Sequence, residues 1–313
     1  MEVRNYTYEE MPEYSGAPDG SVRIPTSGNE VGIAYFNDVP YCTAGGTKLN
    51  LQVLVPYTRN EGHPFFCRGS RTPKHPCIVY VQGSAWMKQH CHAVVADAAR
   101  LARRGYVIAV VEYRSSDIAP FPAQIIDALN AVRFMKVHAD EYRADPERMI
   151  LAGNSSGGHT AVYGGIYHND ADPEENLFPG VSADVRGIIN QYGSTDFTFP
   201  DSNPTTPNHN APDSPEGRVM GGRDLNAEPE LARKLTVRCN ITPETQIVPT
   251  LILHGTKDRT VNCMCSVLLY EHLKACGKDT QLLLIEGADH GGPEFFSDAV
   301  LDAEEAFIRR CCS

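Results

Sequence analysis

The chain has 313 residues, 42% of them apolar and 21% charged, with a formal net charge of −11. That apolar fraction excludes a disordered chain, and no Gly-X-Y period suggests collagen. The acidic balance and the lack of any Lys/Arg-rich run argue against a nucleic-acid partner. The polar start Met1–Tyr6 lacks the apolar segment of a secretory leader, and no apolar run approaches the ~20 residues of a membrane span. The ten cysteines contain no C-x-x-C pair. Cys263-Met264-Cys265 and the vicinal Cys311-Cys312 suit neither a bridge nor zinc. Free thiols in a reducing cytoplasm are therefore expected, with one bridge among Cys42, Cys67 and Cys77 left open.

Residues 1–30 are rich in Tyr, Pro, Gly and Glu without periodicity and predict an irregular arm. Strands are expected at Val31–Tyr41 and Lys48–Val55, then a polar loop over Pro56–Pro76. From there strands and helices alternate. The expected strands are Cys77–Val81, Val107–Val111, Arg148–Ala152, Val185–Tyr192, Thr250–His254 and Gln281–Ile285. The expected helices are Ala93–Arg104, Ala123–His138, Ser156–Tyr167, Val261–Ala275 and Pro293–Arg310. Such alternation predicts a single α/β domain over residues 1–313, with a mostly parallel central sheet and helices on both faces. One stretch breaks the pattern. Residues 195–237 carry Pro200, Pro204, Pro207, Pro212 and Pro215 among Asn, Asp and Thr. A long irregular insertion of this kind reads as a lid or binding loop.

Gly153-Asn154-Ser155-Ser156-Gly157 fits G-x-S-x-G. It follows the apolar strand Met149–Ala152 and opens a helix, the strand–turn–helix setting of a nucleophile elbow. Glycines at 153 and 157 allow close backbone approach, and the helix N-terminus aims free N–H groups at the site. The N–H of Ser156 would then stabilise an oxyanion. A serine hydroxyl is a poor nucleophile at neutral pH, so it needs a base, and the base needs an orienting carboxylate. Both should follow in the chain, acid first. His290, in Gly287-Ala288-Asp289-His290-Gly291-Gly292, lies between the last strand and the last helix, where α/β sites form. His159 is expected to pack inside, and His254 to be structural. Asp258 follows a strand on the same edge and is the expected acid, with Asp196 as runner-up and Asp289 pointing elsewhere. The second part of the oxyanion hole should come from Gln82-Gly83-Ser84-Ala85-Trp86, whose small residues expose backbone N–H groups. Trp86 either braces this loop, walls the substrate pocket or packs in the core. His90-Cys91-His92 is too compact for a metal site.

Taken together, the chain resembles the α/β-hydrolase carboxylesterases with an H-G-G-x-W oxyanion loop, of the bacterial feruloyl and acetyl-xylan esterase type. The likeness spans roughly residues 31–310. Four segments carry it in order: Gln82–Trp86, Phe121-Pro122-Ala123-Gln124, Gly153–Gly158, and the pair Asp258 and His290. It implies Ser155 as nucleophile, Asp258 as acid, His290 as base, and the N–H groups of Ser84, Ala85 and Ser156 as oxyanion donors. Of the three readings of Trp86 from its place in the loop, substrate binding is the one expected. The family's first His is Gln82 here, its second Gly is Ser84, and its S-A-G-G reads Ser155-Ser156-Gly157-Gly158. Backbone donors survive these changes, whereas the loop shape and hence acyl size do not carry over. The implied reaction is hydrolysis of a small or oligosaccharide carboxylic ester through an acyl-enzyme, with no metal or organic cofactor. An amidase, peptidase or arylformamidase of the same fold is the alternative, and a non-catalytic binding module is a further one. A homo-oligomer stays open.

Overall fold

The computed structural model describes residues 4–65, 73–167, 175–198 and 204–313; Cys67 and Pro200 lie outside the described residues. Its strands are β1 (Gly32–Ala44), β2 (Thr47–Tyr57), β3 (His75–Val81), β4 (Val107–Val111), β5 (Ala144–Asn154), β6 (Gly187–Gln191), β7 (Thr250–Gly255) and β8 (Thr280–Ile285). Its α-helices are α1 (Val95–Ala102), α2 (Ala123–Val137), α3 (Ser156–Tyr167), α4 (Pro215–Val219), α5 (Pro229–Leu235), α6 (Met264–Ala275) and α7 (Asp298–Cys312). The strands form one sheet in the order β1-β2-β4-β3-β5-β6-β7-β8. The β1–β2 and β2–β4 pairs are antiparallel, and β4 to β8 pair in parallel.

Alternation along β3 shows how the sheet is covered. Cys77, Val79 and Val81 face a core that includes Ile125, Leu129 and Val132 of α2 and Val162 of α3. Ile78 and Tyr80 face the opposite core with Leu101 of α1 and Leu301 and Phe307 of α7. A strand apolar at every position is what burial on both faces requires. Because β3, β5, β7 and β8 all run the same way, the loops that follow them open on one edge of the sheet.

Several boundaries differ from expectation for local reasons. The first two strands are longer and close as a hairpin over Gly45-Gly46, both at positive φ (55° and 80°). Helix α6 begins at Met264 rather than Val261; in the turn before it Thr260 and Val261 donate their N–H groups to Asp258 Oδ1, both at 2.8 Å. The last helix is split: a 3₁₀ turn covers Pro293–Phe296, and extended Ser297 precedes α7. The insertion is not wholly irregular. Ser214 caps α4, accepting from the Gly217 N–H at 3.0 Å, with Pro215 in the first turn. That Ser-Pro-Glu start is a helix signal the proline count obscured. Residues 4–31 of the arm stay outside the sheet and are largely exposed, touching the body where Arg59 stacks on Tyr8 at 4.8 Å. Cys42 and Cys77 are free thiols. No helix among the described residues is long and apolar enough to cross a membrane.

Glu304 of α7 is buried and accepts a hydrogen bond from Gln191 Nε2 at 2.7 Å. Burial pushes its carboxyl up to about 7 from the ordinary 4.5. Between those values the folded chain binds more protons than the unfolded one. Stability therefore falls as pH rises through that window and changes no further above it. Glu304→Gln should raise Tm by roughly 3–6 °C at pH 8 and by less than half of that at pH 5. Thermal melts at both pH values check this, and equal gains would refute it.

Candidate active site

The turn after β5 holds Ser155 at φ 52°, the left-handed region that costs a non-glycine residue about 1–3 kcal/mol. The turn is fixed from both sides. Ser155 donates its N–H to Gln191 O at 2.9 Å, tying the elbow to β6. Gly157 lies so close to β3 that a Cβ there would stand 2.0 Å from Val81 O. A Cβ on Gly83 would likewise stand 2.3 Å from Asn154 O, so the loop after β3 rests directly on the elbow.

Three of the expected side chains meet. Ser155 Oγ is 2.9 Å from His290 Nε2, and His290 Nδ1 is 2.7 Å from Asp258 Oδ2. They arrive from the loops after β5, β8 and β7. Since Nδ1 faces a carboxylate it carries the proton, which leaves Nε2 free to accept from the serine hydroxyl. Burial would raise the Asp258 carboxyl. Hydrogen bonds from His254 and His290, the charge of His290 and the Val261 N–H overcome this and hold it well below the usual carboxylate range. Asp196 is elsewhere: it pairs with Arg238 and accepts from the Thr198 N–H at 2.9 Å. Asp289 accepts from Arg259 Nε at 2.6 Å. His159 is buried, donating from Nε2 to Leu235 O at 2.9 Å, and burial lowers its pKa to about 4.

Two expectations need correction. The Ser84 N–H is not free for an oxyanion, because it donates to Ser156 Oγ at 3.0 Å. The cause is the serine after the nucleophile, whose hydroxyl reaches under the loop and also sits 3.3 Å from Tyr113 Oη. Among the described residues the N–H groups of Ala85 and Ser156 have no protein acceptor. Trp86 is 2% exposed and offers no surface to a substrate. It packs edge-on against His159, with ring centroids 5.1 Å apart, and its carbonyl accepts from the Ser116 N–H at 2.7 Å. It therefore braces the loop, in which Ala85 and Trp86 both hold positive φ (56° and 54°).

Other contributors were not anticipated. Asn154 accepts from the Gly83 N–H at 2.8 Å and donates to Tyr192 Oη at 3.0 Å. The Tyr192 ring in turn lies edge-on to His290 at 4.9 Å. One amide thus links the loop after β3 to the wall behind the imidazole. His254 Nε2 lies 3.0 Å from Asp258 Oδ2. Its place at a strand end, four residues before Asp258, was the only signal of this in the sequence.

Residues 65–273 match the BD-FAE family. The chain belongs to that family. Among curated relatives of this BD-FAE chain, Esterase LipC of Mycobacterium tuberculosis (strain ATCC 25618 / H37Rv) is 26% identical over 224 residues, covering 70% of this chain and 54% of that protein. Isoprenylcysteine alpha-carbonyl methylesterase ICME of Arabidopsis thaliana is 24% identical over 252 residues, covering 74% of this chain and 56% of that protein. The chain thus spans about half the length of the curated relatives it matches. The solved structure described as a truncated form of carbohydrate esterase from gut microbiota superposes with a TM-score of 0.75 at 22% identity, covering 92% of this chain and 99% of that one. The architecture is the α/β-hydrolase fold.

Proposed function

We propose that this BD-FAE domain is a serine carboxylesterase working through an acyl-enzyme. The observation that carries the reading is the line of contacts from Ser155 Oγ through both nitrogens of His290 to Asp258 Oδ2, at 2.9 and 2.7 Å. His290 Nε2 takes the Ser155 proton as Oγ attacks the ester carbonyl carbon. The N–H groups of Ala85 and Ser156 hold the oxyanion, each such donor being worth roughly 100- to 1000-fold in rate. His290 then passes the proton to the leaving alcohol oxygen. Water repeats the sequence on the acyl-serine and frees the acid. Asp258 keeps the imidazole in its tautomer and stabilises the imidazolium. The esterase names of the curated relatives support ester rather than amide chemistry.

For the alcohol portion we infer a carbohydrate. The insertion docks on the acid loop: Thr206 N–H donates to Arg259 O at 2.8 Å, and Asn262 Nδ2 to Pro204 O at 2.7 Å. Beside this contact lies a cavity of about 460 Å³, lined by Asn208, Asn226, Thr206, Asp196 and Phe197 together with the apolar Pro207, Val261 and Cys265; it adjoins the acid loop, and Ser155 and His290 are not in its wall. Its amides, hydroxyls and aromatic face could hold a polyol extending past the acid loop, the volume lies in the ligand range, and the carbohydrate-esterase name of the superposed structure supports the same reading. The cysteines unpaired among the described residues support extending the reading to a reducing, cytoplasmic location.

The test is a panel of 4-nitrophenyl acetate, an aminoacyl anilide, and acetylated or feruloylated oligosaccharides beside their methyl or ethyl esters. Faster cleavage of the anilide would defeat the esterase reading. The sugar esters should exceed the alkyl esters in kcat/KM by roughly tenfold or more, about 1.4 kcal/mol. Indifference to the sugar would remove the carbohydrate assignment alone.

A further inference from the structure

Asp258 serves two imidazoles. His254, at the end of β7, is fully buried, and its Nε2 lies 3.0 Å from both Asp258 Oδ2 and Val261 O. Both partners only accept, so Nε2 carries a hydrogen and shares it between them. Nδ1 lies 2.7 Å from Ser266 Oγ. Among the described residues that hydroxyl has no other side-chain partner, so it donates to Nδ1 and holds His254 in the Nε2–H tautomer. Asp258 then receives four N–H donors. His254 and His290 approach Oδ2 at 3.0 and 2.7 Å. Thr260 and Val261 approach Oδ1, both at 2.8 Å. A carboxylate offers about four lone-pair sites, so this one is full.

We propose that His254 is a positioning residue for the catalytic base, its Nε2–H fixing Asp258 Oδ2 in the one orientation that His290 needs. The inference rests on the esterase reading above. The backbone donors pin Oδ1 but leave Oδ2 to be placed by the imidazoles. His290 is partly exposed beside Ser155 and must change charge and shift during turnover, whereas His254 is locked from both nitrogens. The fixed imidazole therefore sets the geometry that the moving one uses. It also withdraws electron density from Oδ2, which restrains the stabilisation of protonated His290. The neighbouring ionisable groups are otherwise engaged. Asp289 is held by Arg259, and Tyr192 Oη accepts from Asn154. His209 faces Glu216 Oε1 and Thr260 O, both at 2.7 Å.

The experiment compares wild type, His254→Phe and His254→Gln in the full chain, with 4-nitrophenyl acetate across pH. Phe fills the space without a donor; Gln restores an N–H. The Phe variant should lose roughly 10- to 100-fold in kcat with KM within about twofold, the scale of a misplaced catalytic group. Its acid limb of kcat/KM should move up by about half a pH unit or more, because Oδ2 without its second donor favours imidazolium more strongly. The low-field proton resonance of His290 Nδ1–H should broaden or move. Gln should bring all three readings back toward wild type. A folded Phe variant with wild-type kcat, acid limb and resonance would overturn the proposal. So would a loss that only tracks the folded fraction while the acid limb stays in place. Should the Phe variant not fold, His254→Asn, whose shorter amide falls short of Oδ2, replaces it with the same expectations. The resonance needs no substrate. A chain inactive on every ester would sink the esterase reading, yet the resonance would still report on the His254 contact.

Discussion

Ser155→Ala will lower kcat for 4-nitrophenyl acetate by roughly 10⁶-fold while leaving the fold intact, the scale seen when a serine triad loses its nucleophile. The hydroxyl is the group at 2.9 Å from His290 Nε2, and among the described residues no other hydroxyl has that contact. Ser156 Oγ lies next in the chain, but it is buried and accepts from the Ser84 N–H, so it cannot take over. Alanine removes one oxygen and retains the backbone N–H donated to Gln191 O, so Tm should change little. A fluorophosphonate probe should label wild type and not the variant. Residual turnover within a hundredfold of wild type, or labelling at another residue, would show that the attacking group has been misassigned.

Asp258→Asn should cost about 10⁴-fold in kcat, with KM nearly unchanged, because the orienting carboxylate sets the tautomer. The local hydrogen bonds make the penalty severe. Oδ2 receives two imidazole N–H groups and Oδ1 two backbone N–H groups. An amide brings its own NH₂, and whichever way it turns that group meets two donors. If it faces His290, the imidazole relieves the clash by moving its proton to Nε2, where it can no longer accept from Ser155. If it faces Thr260 and Val261, two backbone donors lose their acceptor and the acid loop loosens. A pH–rate profile and a thermal melt separate these outcomes, the first sparing Tm and the second lowering it. A variant within tenfold of wild type would mean that another carboxylate orients His290.

Much of the candidate site was readable because local rules set it. The elbow announced itself through a short apolar strand, two glycines and a helix start, all within about ten residues. His290 was recognisable because it alone among the later histidines lies in a glycine-bounded loop between the last strand and the last helix. The Ser84 N–H could not be read this way. Its engagement depends on the Ser156 hydroxyl reaching under a different loop, 72 positions away in the chain. Trp86 was ambiguous for the same reason. An aromatic after a small-residue loop has the same sequence whether it turns toward substrate or toward His159. The helices in the insertion were hidden by a composition reading that weighed prolines as breakers although Pro215 and Pro229 sit in first turns, where they are tolerated.

By itself the sequence determined the order of strands and helices, the parallel sheet, the elbow and the loops that carry reactive groups. These follow from periodicities of two and 3.6 and from turn chemistry, which act over a few residues. Only the tertiary structure decided which aspartate meets His290, that His254 shares that carboxylate, and which backbone N–H groups stay free for an oxyanion. Asp196 and Asp258 both follow strands, and the sequence already favoured Asp258, but no short window shows that it meets His290 across the sheet edge. Their roles are set by where β6, β7 and β8 lie in the sheet and by which way each side chain leaves its loop. Ser155 and His290 are 135 positions apart. A contact at that separation exists only after the whole sheet has assembled, so no window of sequence contains it.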